Sequence, residues 1–201
     1  MIFTRRESPP PFNDHRSYAA YLRRDFRNRC AYCERPEPYL DGPESFTVDH
    51  FRPISNPEFR HLRSHYSNLY YCCRRCNEYK WKHWPSDQEA AEGARFSDPC
   101  VEDMYVDHLR ESPDGSLVYL TPCGRYTLAR IRLNRDRVVA WRRRKRNAER
   151  TVWDAPSIFA HLRQLLNLHP EQQTRIREEI SSLESLVSET KERYAIEAST
   201  S

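Results

Sequence analysis

Apolar residues recur at helical spacing near the start of the chain and in short β-prone runs further along. Positions 17–28 predict a short amphipathic helix, because four apolar residues share one face: Tyr18, Tyr21, Leu22 and Phe26. Two runs, 45–50 and 68–71, lie among proline and glycine turn signals and predict two short strands. Residues 1–14 are rich in proline and predict an irregular lead-in.

The second half of the chain predicts mainly helices. A β-prone stretch at 117–120 precedes a predicted helix over 127–150. From Pro156 onward two more helices are predicted, separated near His169 and Pro170, and the last carries apolar residues at spacings of three, four or seven: Ile176, Ile180, Leu183, Val187 and Tyr194. This seam is shorter than the ~3 to 4 heptads that a coiled coil needs, so a helical hairpin packed on the same domain is an equally good interpretation.

The composition limits the classes of protein to consider. Only 38% of the 201 residues are hydrophobic, so we expect no single large core. No stretch approaches the ~18 apolar residues of a membrane span, and we expect no membrane partner. The first residues are charged and proline-rich rather than apolar, which favours a cytoplasmic location. The net charge of +4 says little about the binding partners, because acidic and basic residues are both abundant.

The positive charge is concentrated in one segment. Residues 125–150 contain eleven Lys or Arg against two acidic residues, Asp136 and Glu149. The densest run is predicted to bind nucleic-acid phosphates, which would give a salt-dependent affinity without sequence preference: Arg142, Arg143, Arg144, Lys145 and Arg146. A solvated helix face, or a patch that pairs with an acidic partner protein, is the alternative interpretation.

Four of the seven cysteines form two CxxC pairs, Cys30 with Cys33 and Cys73 with Cys76. Such pairs together can place four thiolates around one tetrahedral Zn²⁺, and a closed four-sulfur site is structural rather than catalytic. One disulfide plus free thiols is the alternative, but it fits a reducing compartment poorly. The remaining cysteines are interpreted as ordinary buried thiols, with Cys72 a weaker substitute ligand: Cys72, Cys100 and Cys123.

Between and around the pairs lies a set of polar residues in a distinctive order. Asp49-His50-Phe-Arg-Pro53 follows the first pair, and Asn68-Leu-Tyr-Tyr-Cys-Cys-Arg-Arg-Cys-Asn77-Glu-Tyr-Lys80 contains the second. The order CxxC, DHxxP and NLxxxCxxCNxxK closely resembles HNH endonucleases of the zinc-knuckle type, over roughly residues 29–82. The resemblance implies an α+β fold: a small ββα-metal core with a structural zinc knuckle, surrounded by helices, with a helical C-terminal region.

The resemblance and the predicted elements together divide the chain into four parts. The lead-in and first helix occupy 1–28, and the HNH core occupies 29–84. An accessory segment with the basic helix follows at 85–150, and a C-terminal helical region at 151–201.

The resemblance implies a role for each polar residue. Phosphodiester hydrolysis needs a base that is neutral near pH 7, and His50 is predicted to deprotonate the attacking water. Asp49 and Asn77 are predicted to hold a divalent cation, and Asn68 to fix the loop that orients His50. Some members carry histidine in place of Asn77, and the harder amide oxygen favours Mg²⁺ or Mn²⁺.

Nearby charged and histidine residues are weaker candidates. Arg52 and Lys80 are close enough in sequence to hold the scissile phosphate, but each is equally well explained as an ordinary surface charge. His61, His65 and His83 lack the DHxxP context and are better explained as surface or core residues.

Downstream segments give a looser match. Ser97-Asp-Pro, the Asp114-Gly turn and Ala129-Arg-Ile-Arg-Leu-Asn-Arg-Asp136 resemble HNH proteins of bacterial anti-phage systems, such as Septu-type nucleases that work beside an ATPase. The zinc-knuckle HNH resemblance itself implies duplex DNA as the default substrate. The looser downstream match implies an ATPase or other defence subunit as partner, and self-association through the C-terminal helices is the other expected contact. A catalytically inactive zinc-knuckle module that only binds nucleic acid is the alternative.

Overall fold

A computed structural model describes residues 1–168 and 170–196 and divides the chain into two compact units, Met1–Trp141 and Arg142–Ser201. Its helices and strands are α1 (Ala19–Asp25), β1 (Phe46–His50), β2 (Leu69–Cys73), α2 (Arg74–Lys80), α3 (Asp87–Ala91), β3 (Leu109–Glu111), β4 (Leu117–Tyr119), α4 (Pro122–Ile131), α5 (Asp136–Leu168) and α6 (Gln173–Tyr194). Among the described residues, no helix is both long and apolar enough to cross a membrane.

The centre of the first unit is an antiparallel pair of strands followed directly by a helix. β1 pairs with β2 from Phe46 opposite Cys73 to His50 opposite Leu69, and α2 begins at the next residue. Every residue of β2 is buried, whereas β1 is only partly buried. This ββα arrangement confirms the predicted α+β fold, with both β-prone runs of the sequence forming strands.

Aromatic side chains fill much of the space between α1 and the strands. Phe26 lies 5.5 Å from Tyr70 between ring centroids, and Tyr70 stacks with Tyr32 at 6.3 Å and with Phe51 at 4.8 Å. Such offset ring contacts stabilise a small core that has few aliphatic residues. The predicted first helix is present as α1, preceded by a short 3₁₀ turn over His15–Tyr18.

The accessory part of the first unit packs a small hairpin against α4. β3 pairs antiparallel with β4, and α4 follows at Pro122. A Cβ atom at Gly124 would lie 2.1 Å from the carbonyl oxygen of His108, so only glycine permits this close approach of helix and chain.

The single helix predicted over 127–150 is wrong, because the chain breaks between α4 and α5. Arg132 ends α4 with a left-handed backbone, at φ 53°. The Asn134 amide then accepts from the backbone N–H of Leu117 and donates to its carbonyl, each at 2.8 Å. These two bonds tie the linker to β4, a contact distant in sequence that helical periodicity cannot reveal.

The second unit is helical. α5 continues through Pro156 to Leu168, so the first helix expected after Pro156 is instead the end of α5. An interior proline removes a helical hydrogen bond and crowds the carbonyl four residues earlier, yet α5 continues through Pro156. The neighbouring sequence holds no glycine that would end the helix. Arg163 and Glu184 form an ion pair at 3.5 Å between α5 and α6, as in a helical hairpin. His169, where the separation was expected, lies outside the described residues.

Candidate functional site

The four paired cysteines meet at one point in the first unit. Their sulfur atoms all lie within 4.8 Å of one another and all four residues are buried: Cys30, Cys33, Cys73 and Cys76. Four Zn–S bonds of ~2.3 Å place sulfurs ~3.8 Å apart, and the Sγ atoms of Cys33 and Cys73 are 3.9 Å apart. All seven cysteines, each within the described residues, are free thiols, which removes the disulfide alternative. The cluster therefore has the chemistry and spacing of a zinc knuckle.

Two arginines donate to the sulfurs. Arg35 Nε lies 3.4 Å from Cys33 Sγ, and Arg135 Nη2 lies 3.0 Å from Cys76 Sγ. Burial opposes ionisation of the Cys33 thiol, but hydrogen bonds from the other three cysteines hold its pKa well below the ordinary value. If the four cysteines held Zn²⁺ as thiolates, the site would carry a net charge of about −2, which these two guanidinium groups would balance.

Arg135 also connects the cysteine cluster to the α4–α5 linker. Its Nη1 donates to the carbonyl oxygens of Ile131 at 3.1 Å and Arg132 at 3.0 Å, at the end of α4. The Arg135 side chain therefore bonds both Cys76 and the carbonyls at the end of α4. The cysteine cluster thus anchors the accessory segment as well as the two knuckles.

Asp49 is held by two buried partners. The hydroxyl of Tyr32, inside the first CxxC, donates to Asp49 Oδ2 at 2.5 Å. Lys80 Nζ lies 3.0 Å from the same oxygen and 3.3 Å from Oδ1, and it also donates to the His50 carbonyl at 2.7 Å. Lys80 is fully buried, so the geometry corrects its predicted role: its ammonium group contacts Asp49 and is not available to a scissile phosphate.

His50 is oriented by a backbone carbonyl. Its Nε2 lies 2.9 Å from the carbonyl oxygen of Arg63. A carbonyl only accepts hydrogen bonds, so Nε2 carries the ring proton and Nδ1 is left with a lone pair. Burial lowers the pKa of His50 below its ordinary value. The neutral ring that a general base requires is therefore favoured at neutral pH.

A second histidine lies beside His50. The ring centroid of His15, in the 3₁₀ turn before α1, is 4.6 Å from that of His50. Burial and the charge of His50 both lower the pKa of His15. Sequence reasoning missed this neighbour, because the lead-in carries no motif that places it near DHxxP.

Asn68 bridges the start of β2 and the loop after β1. Its Oδ1 accepts from the backbone N–H of Arg52 at 2.8 Å, and its Nδ2 donates to the carbonyl of Arg52 at 3.1 Å. The backbone carbonyl of Asn68 accepts from Phe51 N–H at 2.9 Å. The buried Asn68 amide is thus placed to fix the loop that follows His50. The Arg52 side chain itself is exposed, with its guanidinium 5.7 Å from the Phe59 ring centroid.

Three of the predicted catalytic residues line one pocket. This pocket, of about 440 Å³, is bordered by Asp49, His50 and Asn77, together with Trp81 and Lys82. Within the described part of the chain, the Asn77 side-chain amide has no protein hydrogen-bond partner. A carboxylate offers about four lone-pair positions, and the donors on Asp49 make three contacts. An oxygen of Asp49 and the free amide oxygen of Asn77 fit a hard divalent cation.

The dense basic run lies at the start of the second unit. Arg142 is buried, which corrects its assignment to an exposed phosphate-binding face. Arg143 and Arg144 are exposed, whereas Lys145 and Arg146 are half-buried, and Lys145 pairs with Glu149 at 2.8 Å. Of the five basic side chains at 142–146, only Arg143 and Arg144 are therefore exposed.

A second cluster in the first unit brings together Glu102, His108 and Cys123, whose ligand atoms also lie within 4.8 Å of one another. Arg95 forms a two-point ion pair with Glu102, with Nη2 at 2.7 Å from Oε2. Burial raises the pKa of Glu102, but hydrogen bonds from Arg95 and His108 outweigh it and lower the pKa to about 2. The Arg95 guanidinium already neutralises the Glu102 carboxylate, so we interpret this cluster as an ion-pair network and not as a metal site.

Comparison with family models gives a match within the first unit. Residues 30–82, about a quarter of the sequence, match the family model described as HNH endonuclease. This confirms the predicted zinc-knuckle HNH segment, with its boundaries close to those expected. Comparisons with curated proteins and with solved structures gave no match.

Proposed function

From the HNH endonuclease match of residues 30–82, we propose that this protein is a metal-dependent endonuclease that hydrolyses DNA phosphodiester bonds. One observation carries the proposal. His50, with Nε2 donating to the Arg63 carbonyl, lies in the same pocket wall as Asp49 and Asn77. A base with a free lone pair and two hard oxygen ligands are the groups that this reaction needs.

His50 acts as the general base in this proposal. With Nε2 protonated and bonded to Arg63, Nδ1 accepts a proton from the attacking water, and the Arg63 carbonyl stabilises the resulting imidazolium. Burial keeps the ring neutral before the reaction. Asn68 does not touch the substrate, but it holds the loop at Arg52 and so acts as a positioning residue.

Asp49 and Asn77 would hold the divalent cation, Mg²⁺ or Mn²⁺. When bound, such a cation stabilises the negative charge that develops on the phosphoryl and leaving oxygens. Tyr32 and Lys80 keep the Asp49 carboxylate in one orientation, and the Lys80 contact with the His50 carbonyl couples the ligand to the base. Zn²⁺ at the four cysteines would then be structural, since four thiolates leave no open coordination position.

The proposal extends to the substrate and the partners. Arg52, Arg143, Arg144, Lys145 and Arg146 are proposed to contact phosphates, as a sequence-independent attraction that salt weakens. We also propose that the protein acts in the cytoplasm. The downstream resemblance supports a role in anti-phage defence beside an ATPase or another subunit. Self-association through the C-terminal helices is the other proposed contact.

Nicking of supercoiled plasmid by the zinc-loaded protein tests the proposal. We expect cutting with Mg²⁺ or Mn²⁺, and none with a chelator that spares the zinc. His50→Ala should abolish cutting and keep plasmid binding, because the base does not contribute to phosphate affinity. The assay is repeated with the proteins encoded by neighbouring genes, since a nuclease toxic to its host is often inactive until triggered.

A nucleic-acid-binding module without catalysis is the second candidate. The observation that favours it is the Lys80 ammonium on Asp49, which already neutralises a proposed metal ligand. Wild-type protein that binds plasmid yet never cuts it, with any divalent cation and with its partners present, would establish this reading.

A further inference from the structure

We infer that Trp81 is a base-stacking platform beside the scissile phosphate. The substrate class would then be nucleic acid with an unpaired base next to the cut, as in a single strand, gap, flap or bulge. This inference rests on the proposed nuclease function and narrows its substrate.

The indole of Trp81 is 63% exposed although it borders the pocket of Asp49, His50 and Asn77. A tryptophan loses a large hydrophobic contribution when its ring stays in water. Trp81 has a ring contact with His83, at 6.3 Å between centroids, but its indole stays exposed. Trp84 and Trp141 are packed among other aromatic rings of the first unit. Trp81 is therefore placed where a flat ligand entering the pocket would cover it.

The backbone holds Trp81 in this position. Its φ of 44° and ψ of −126° are far from the conformations that a bulky residue prefers, and such strain concentrates at functional sites. Two contacts hold the backbone at Trp81. Its N–H donates to the Asn77 carbonyl at 2.7 Å, and the preceding residue, Lys80, is buried against Asp49. The backbone that carries the indole thus has a defined position beside Asn77, one of the proposed metal ligands.

The charge beside the ring suits a nucleic acid. Lys82 Nζ lies 4.4 Å from the Trp81 ring centroid, and both side chains are exposed. An aromatic face paired with a cation is the combination by which proteins bind single strands, with the base stacked on the ring and the phosphate near the charge. In a continuous duplex both faces of each base are covered by neighbouring bases, so an unpaired base is the better ligand.

The test measures binding in a protein that cannot cut. In a His50→Ala, Trp153→Phe background, Trp81 is the most exposed remaining tryptophan, because Trp153, at 72%, is the other exposed one. We expect a short single strand to quench tryptophan fluorescence strongly and a blunt duplex of the same sequence to quench it weakly. Trp81→Ala should lower single-strand affinity about five- to a hundredfold, whereas Trp81→Phe should keep most of it.

The matched control is Trp153→Ala with Trp81 intact, for which we expect unchanged single-strand affinity. Equal quenching by duplex and single strand would overturn the inference. So would a Trp81→Ala protein that binds a single strand as tightly as the Trp153→Ala protein does. A wild-type protein that never cuts would overturn the proposed nuclease but leave these binding results standing, so the two failures are distinguishable.

Discussion

The Lys80 ammonium lies 3.0 Å from Asp49 Oδ2 with both side chains buried, at 0% and 5% exposed. Removing one partner of a buried ion pair leaves an uncompensated charge in the protein, which costs about 3–5 kcal/mol. We therefore expect Lys80→Met to lower the free energy of unfolding by that order, measured by denaturant titration of the zinc-loaded protein. Lys191→Met, at an exposed lysine, should change it by about 0.5 kcal/mol at most. An equal effect of both substitutions would show that the pair does not hold the site.

The pH dependence of cleavage follows from His50. Its base function needs the neutral ring, so the rate should fall as pH decreases through the His50 pKa. Because burial lowers that pKa, the midpoint should lie below the ordinary imidazole value of ~6.5, with a plateau above it. Single-turnover rates between pH 5 and 8 measure this, with His61→Ala, an exposed histidine, as the control. A midpoint above neutrality would contradict the assignment.

Zinc retention should depend on Arg135. Its guanidinium donates to Cys76 Sγ at 3.0 Å and balances part of the negative charge of the four thiolates. We expect Arg135→Ala to speed zinc transfer to a colorimetric chelator by about ten- to a hundredfold, the range seen for groups that bond metal ligands. Arg137→Ala, at an exposed arginine close by in sequence, is the control. Identical release rates in the two variants would refute charge compensation by Arg135.

Asn68 should affect the rate of cleavage more than binding. Its amide both accepts from and donates to the Arg52 backbone, so Asn68→Asp keeps the acceptor and loses the donor. We expect Asn68→Ala to have the lowest cleavage rate and Asn68→Asp a rate between those of Asn68→Ala and the wild type. Plasmid affinity should be nearly unchanged in both variants. If affinity fell and the rate constant did not, Asn68 would be a binding residue instead.

Apolar side chains of the second unit lead to a prediction about association. Ile158 and Leu186 are 48% and 56% exposed, on α5 and α6. If the C-terminal helices mediate contact, truncation after Arg150 should reduce the number of chains per particle, calculated from the mass measured by light scattering. The double substitution Ile158→Glu, Leu186→Glu should have the same effect. A monomeric mass for the full chain, alone and mixed with its neighbouring gene products, would remove the proposal.

The sequence predicted the cysteine cluster and the two strands of the core. The two CxxC pairs predicted the cluster, because one tetrahedral metal ion takes four thiolates, and the β-prone runs predicted the strands. The ββα arrangement came from the resemblance to HNH endonucleases. Asp49, His50 and Asn77 border one pocket, and their catalytic roles stay predictions.

Contacts between distant residues could not be predicted from the sequence. The Lys80–Asp49 pair requires α2 to pack on β1, and nothing in the sequence distinguishes Lys80 from an exposed helix lysine. The break between α4 and α5 depends on the bonds of Asn134 to Leu117, which helical periodicity does not reveal. Tyr32 lies inside the first CxxC pair, but its contact with Asp49 forms only when the chain folds, so the sequence did not predict it.

Chemical rescue of His50→Ala tests whether His50 is the general base. Single-turnover cleavage of end-labelled DNA is measured in Mg²⁺ for the zinc-loaded wild type, for His50→Ala, and for His50→Ala with added imidazole. General-base catalysis contributes about a hundred- to ten-thousandfold, so the account predicts a loss of that size and partial recovery by imidazole. Cleavage by His50→Ala at the wild-type rate, in zinc-loaded protein with Mg²⁺, would contradict it.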